Sequence, residues 1–192
     1  NVGLQGWVDD FRQRNGRNPV VMEFMGPRTL LDNLGVPGIY VNWDEDQEDG
    51  IYRQEGRNGM TVGINADIEN LQFFIPAIGM ALDEFGGGSC LDMIVWKAEG
   101  ALVYLEYSQE AFNYWYDTLT SFLAPGGISL IQGLSRFDDT GRVENKFLSV
   151  FAKRLEENNN GRVIYQNRNG LGPSFFTMCV ENYFGGPMGV FY

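Results

Sequence analysis

Histidine is absent from all 192 residues. That excludes Ser-His-Asp and Cys-His nucleophilic sites, haem ligation through imidazole and the common His-containing zinc sites. Cysteine is scarce. Cys90 and Cys179 are too few for a disulfide framework or a four-cysteine metal centre. Either two buried thiols or one disulfide would account for them. No cysteine pair has chelating spacing, so no transition metal is expected.

Basic residues are few, 14 against 25 acidic ones, and the net charge is −11. Such a field repels phosphate backbones and anionic headgroups. The densest basic stretch, Arg12, Arg14 and Arg17, suits a solvated helix end, so nucleic acid is not an expected partner. Long apolar runs are lacking as well. The most apolar stretch, Leu71 to Leu82, contains Pro76 and falls short of the roughly 20 residues a bilayer crossing needs. No membrane span is expected. No signal or transit peptide is visible, and the start at Asn1 suggests processing or trimming, so the compartment stays open. Walker loops, G-x-G-x-x-G, G-x-S-x-G and C-x-x-C are all missing. No cofactor is expected from motifs.

What is present describes a soluble, ordinary globular chain. Hydrophobic residues make up 44% and aromatics 14%, enough for a single domain over 1–192. Leu4, Trp7, Val8 and Phe11 have helical spacing, so residues 1–17 read as an N-terminal docking helix. Val20 to Phe24 reads as a strand, followed by a brief helix from Pro27 to Leu34. Ile39–Trp43 and Ile51–Glu55 alternate like paired strands around the acidic loop 44–50. Met60–Ile64 reads as a strand. Ile68–Phe85 reads as a helix, apolar nearly all round and kinked at Pro76.

Leu91–Lys97 and Ala101–Tyr107 read as a hairpin turning at Gly100. A helix capped by Ser108 should follow and stop at Pro125-Gly126-Gly127. Ile128–Leu134 then reads as a strand, 143–157 as a helix, and 162–167 with 174–181 as a last strand pair. In order, these elements suggest a strand-helix-strand-strand unit repeated over Val20–Glu55, Met60–Tyr107 and Ile128–Glu181. The fold expected is α+β, a predominantly antiparallel sheet with helices packed on one face.

Three stretches invite a functional reading. Asp44, Asp46, Glu48 and Glu55 fall at the first, third, fifth and twelfth places of a calcium-loop pattern, but the glycine is one place late and strands flank it. A solvated acidic loop explains them better, and no metal is assigned. In the expected hairpin Asp92 faces Glu106, and facing carboxyls push one pKa up as in a glycosidase pair. A frayed sheet end or a basic neighbour explains the same two residues, and no catalytic residue is assigned. Tyr114, Trp115 and Tyr116 read as helix core. The tail 182–192 carries no charge yet holds Tyr183, Phe184, Met188, Phe191 and Tyr192. Such a tail should dock, on its own domain or on a partner.

The function expected from these features is a non-enzymatic structural or interaction protein. It would assemble with itself or within a larger complex, through Tyr183, Phe184, Met188, Phe191 and Tyr192. The alternative is a carbohydrate-active or small-molecule-binding domain using the Asp92/Glu106 face.

Overall fold

The computed structural model describes residues 4–24, 29–42, 44, 46–56, 59–67, 70–86, 90–96, 109–134, 153, 157, 161–167 and 175–182. The chain divides into two compact units, Asn1–Met93 and Ile94–Tyr192.

The first unit opens with α1, Leu4–Asn15, which buries Val8 and Phe11. Gly16, at φ 67°, ends it with its N–H on the Arg12 carbonyl. Four elements follow: β1 (Val21–Phe24), α2 (Thr29–Leu34), β2 (Gly38–Asn42) and β3 (Gly50–Gly56). After them come β4 (Gly59–Asn65), α3 (Leu71–Asp83) and β5 (Leu91–Trp96), within which the unit boundary falls.

The strand order here is β3-β4-β2-β1-β5. β1 and β2 pair in parallel, Val21 to Gly38 through Phe24 to Val41. β2 and β4 also pair in parallel, Gly38 to Thr61 through Asn42 to Asn65. Val20 and Asp92 bring the starts of β1 and β5 together, the Asp92 N–H lying 2.8 Å from the Val20 carbonyl. β3 runs antiparallel to β4, in register from Gly50 with Asn65 to Gly56 with Gly59.

The expectation of a predominantly antiparallel α+β sheet is therefore corrected. This sheet is mostly parallel and the architecture is α/β. Ile39–Trp43 and Ile51–Glu55 are not partners either, because β2 lies between β1 and β4. The reason is burial. All four residues of β1 are buried, and β2 is buried at Gly38, Ile39 and Val41. Strands covered on both faces read as near-continuous apolar runs, the mark of a central parallel strand.

Helices cover both faces rather than one. Phe74 of α3 meets Phe24 edge-on at 6.0 Å between centroids. On the opposite face α2 lies over Gly38, where an added Cβ would come 2.9 Å from Leu31 Cδ2. α3 carries Pro76 and buries one stripe, Phe74, Ala77, Ile78, Ala81 and Leu82. Met80 points outward, so the helix is not buried on several sides. Arg53 of β3 pairs with Glu84 at the end of α3.

In the second unit α4, Gln109–Thr120, is followed by β6 (Leu123–Leu134), β7 (Gly161–Asn167) and β8 (Phe175–Asn182). β8 pairs antiparallel with both β6 and β7. The last strand pair thus forms as its spacing predicts. β6 begins earlier than expected and runs through Pro125-Gly126-Gly127, with Gly126 at φ 76°. Tyr116 of α4 is buried against Trp96, the rings stacked 5.9 Å apart. Tyr114 is exposed. The second strand of the expected 91–107 hairpin lies outside the described residues. So does the 143–157 helix, except for Lys153 and Glu157, both helical. Among the described residues no helix is long and apolar enough to cross a membrane.

Candidate functional site

In the first unit the parallel strands β1, β2 and β4 end together at Phe24, Asn42 and Asn65. The order reverses at β1, because β2 and β5 lie on opposite sides of it. In open α/β sheets ligands bind in the crevice outside the carboxyl ends of strands at such a switch point. The polar residues at this edge therefore define the candidate site.

Glu23, next to last in β1, is fully buried. Its Oε2 accepts from the Leu30 N–H, 3.2 Å away in the first turn of α2. A buried carboxylate needs such donors, and here it ties the start of α2 to the end of β1.

Asp44 stands two residues past β2 and is half-buried. It opens a turn in which the Gln47 N–H donates to the Asp44 carbonyl at 3.0 Å. Its carboxylate accepts from the Asp46 N–H (3.1 Å) and from Gln47 Nε2 (2.9 Å). An Asp side chain bonding the backbone two residues on is ordinary turn chemistry.

The turn is held from below by Asn65, the last residue of β4, which is buried. Asn65 Oδ1 accepts from the Asp44 N–H at 2.8 Å. Its Nδ2 lies within hydrogen-bond reach of the carbonyls of Asp44 (3.2 Å), Gln47 (3.1 Å) and Glu48 (3.3 Å). Farther along, Asn70 Nδ2 donates to Asp49 Oδ2 at 2.8 Å. Asn70 is the N-cap residue of α3, yet its side chain makes no capping bond.

The residues singled out in the sequence fall in several places. Of the four calcium candidates, Asp44 has its carboxylate folded into its own turn, and Asp46 and Glu48 are exposed on the same loop. Glu55 is on β3 opposite Met60. No three acidic or cysteine side chains converge as a metal site among the described residues.

Asp92 lies at the start of β5, beside the amino end of β1 and so away from the carboxyl-end crevice. Arg17 holds it through two bonds of 2.7 and 2.9 Å, and the Val20 N–H adds a third at 2.8 Å. Asp92 raises the Arg17 pKa above its ordinary value, chiefly through that hydrogen bonding. Glu106 lies outside the described residues, as do Tyr183, Phe184, Met188, Phe191 and Tyr192. The Cys179 side chain does too, and with it any pairing to Cys90.

Sequence reasoning passed over Glu23 and Asn65. The signal available was an acid on a fully apolar strand and a polar residue closing another, followed by Ala66-Asp67. Neither matches a named motif. A Gly-rich motif, the usual sequence marker of such a site, is lacking after β1, where the sequence reads Met25-Gly26-Pro27-Arg28.

No family model matches the sequence, and no curated protein sequence is detectably similar to it. Solved structures share the fold. The fibrillarin pre-rRNA processing protein of Methanococcus jannaschii aligns over 86% of this chain and 67% of its own. Its TM-score is 0.53 at 11% identity. The antibiotic-resistance methyltransferase Kmr aligns over 91% and 92%, with TM-score 0.53 and 12% identity. A SAM-dependent methyltransferase of Methanosarcina mazei aligns over 86% and 93%, with TM-score 0.51 and 13% identity. The fold is thus Rossmann-like, the one on which these methyltransferases are built.

This overturns the expectation of a non-enzymatic, self-assembling structural protein, and with it the carbohydrate-active alternative on the Asp92/Glu106 face. That expectation rested on the lack of histidine and of catalytic motifs, on the aromatic tail and on the apolar surplus of 68–85. Methyl transfer from a sulfonium requires no side-chain nucleophile, so that lack does not argue against an enzyme.

Proposed function

We propose that this chain is an S-adenosylmethionine-dependent methyltransferase acting on a small neutral or cationic molecule. The observation that carries the reading is Asp44, fixed just past β2 beside the switch point of a doubly wound sheet. In such sheets an acidic residue about 20 residues beyond the first βα turn takes a ribose hydroxyl. Asp44 lies 18 positions beyond Gly26.

The donor set fits an adenosyl group. A carboxylate offers about four acceptor positions. Asp46 and Gln47 occupy one on each oxygen of Asp44, which leaves capacity for the two hydroxyls of a ribose. When bound, the sulfonium supplies an activated methyl group to a nucleophilic atom of the substrate. This chain's own contribution is to hold and orient: Asp44 takes the ribose, and Glu23 fixes the α2 start beside it. The net charge of −11 supports a cationic cofactor over nucleic acid as substrate, since an acidic field attracts the one and repels the other.

Calorimetric titration with S-adenosylhomocysteine tests the reading. One equivalent should bind, and Asp44→Ala should weaken binding by about tenfold or more, the worth of a charge-assisted hydrogen bond. Failure of the wild-type chain to bind at millimolar ligand would end it.

A further inference from the structure

We infer that Asn65 is the positioning residue for Asp44, and that through it the chain distinguishes a ribose diol from a sugar lacking one. The inference rests on the nucleoside-binding reading above and adds a residue to it.

The geometry is specific. One side chain bonds both peptide units that flank Asp44. Asn65 Oδ1 takes the Asp44 N–H at 2.8 Å, and Nδ2 reaches the Asp44 carbonyl at 3.2 Å. Those two peptide groups set the direction of the Asp44 Cα–Cβ bond. Nδ2 also reaches the Gln47 and Glu48 carbonyls, so the whole turn carrying the carboxylate hangs on one amide.

Chemistry settles which way the amide faces. A backbone N–H requires an acceptor and the three carbonyls require donors, so Oδ1 must face Asp44 N and Nδ2 the carbonyls. Asparagine alone satisfies both at this length. Aspartate would offer no donor, and leucine would offer neither.

The anchor itself is rigid. Asn65 is buried, sits on β4 in register with Asn42 of β2, and is followed by the Ala66 N–H bond to the Asn42 carbonyl at 3.2 Å. A loop would otherwise sample many backbone states. Here its key residue is fixed by a strand two removed from β1. The Asp44 carboxylate keeps its remaining acceptor positions while its backbone is fully bonded. A site holds a reacting or binding group within about half an ångström only with such support.

The test is titration of the full chain with S-adenosylhomocysteine and with its 2′,3′-dideoxy analogue. The wild type should prefer the diol by about tenfold or more. Asn65→Ala and Asn65→Ser should bring the two ligands to within about twofold, with dideoxy affinity itself changed by less than about twofold. In an Asp44→Ala background, Asn65→Ala should add no further loss of preference. Circular dichroism melts verify folding, and Asn65→Ser, which keeps a hydroxyl in the buried position, serves if Asn65→Ala does not fold. Variants that keep the full diol preference would overturn the inference, as would variants that lose both ligands equally, while nucleoside binding stands. A wild type that binds neither ligand would overturn the function and this inference together.

Discussion

Arg17, just past the end of α1, grips both carboxylate oxygens of Asp92 at the start of β5, at 2.7 and 2.9 Å. The pair joins residues 75 positions apart. Its two halves are unequal, the Arg17 side chain being 52% exposed and the Asp92 side chain 4%. The guanidinium also lies 4.9 Å from the Phe11 ring centroid, which adds a cation–π contact.

That asymmetry gives the first prediction. Arg17→Ala leaves the buried Asp92 carboxylate without its counter-charge and should cost about 3–5 kcal/mol. Asp92→Ala leaves the Val20 N–H unpaired but frees a guanidinium that is already half-solvated, and should cost about 1–3 kcal/mol. Asp92→Asn should cost least, because it still accepts from Val20. Urea denaturation of the three variants gives the order. Equal losses for Arg17→Ala and Asp92→Ala would contradict it.

Two glycines in the parallel sheet should respond differently to alanine. A methyl at Gly38 would overlap the Val21 carbonyl oxygen, which is backbone and cannot give way. A methyl at Gly63 would meet only the outer end of the Tyr40 ring, and Tyr40 is half-exposed. Overpacking costs about 1–3 kcal/mol and more where nothing can move. Gly38→Ala should therefore be the more damaging, and Tyr40→Ala should rescue Gly63→Ala but not Gly38→Ala. Thermal melts of the single and double variants check this.

The Arg53–Glu84 pair predicts a pH effect. Hydrogen bonding from Arg53 lowers the Glu84 pKa below its usual 4.5. A lowered carboxyl pKa means the unfolded chain binds the proton more readily. The stabilisation is therefore present above pH 4.5 and is lost as pH falls through the depressed value. Wild type and Glu84→Gln should differ slightly at neutral pH and converge in acid. The pair lies at the surface, with Arg53 more open to water than Glu84, so added salt should shrink the difference. Stability measured across pH at two salt concentrations checks it.

Ligand binding should also register as stability. A ligand bound only by the folded state adds about 2.7 kcal/mol at one hundred times its dissociation constant. S-adenosylhomocysteine should raise the melting temperature of the wild type, and raise that of Asp44→Ala far less at the same concentration. An equal rise in both would place the ligand away from Asp44.

The sequence by itself determined most of the local structure. Val8 and Phe11 at helical spacing made α1, Gly16 stopped it, and the apolar stretch from Leu71 to Leu82 made α3. Each of these depends on neighbours within a few positions, where side-chain periodicity and turn residues act directly. The absence of histidine narrowed the chemistry in the same direct way.

Strand pairing was decided only by tertiary structure. A period of two says which residues share a face, not which strand lies alongside or in which direction. β2 and β3 follow one another in sequence, yet β2 pairs with β1 and β4, because a strand buried on both faces must sit inside the sheet. The site followed from that pairing. Glu23, Asp44 and Asn65 are far apart in sequence and carry no shared motif. They come to one edge because three parallel strands end together there. Asn65 acquires its role because a buried amide in low dielectric must satisfy its bonds, and the turn after β2 is what lies within its reach.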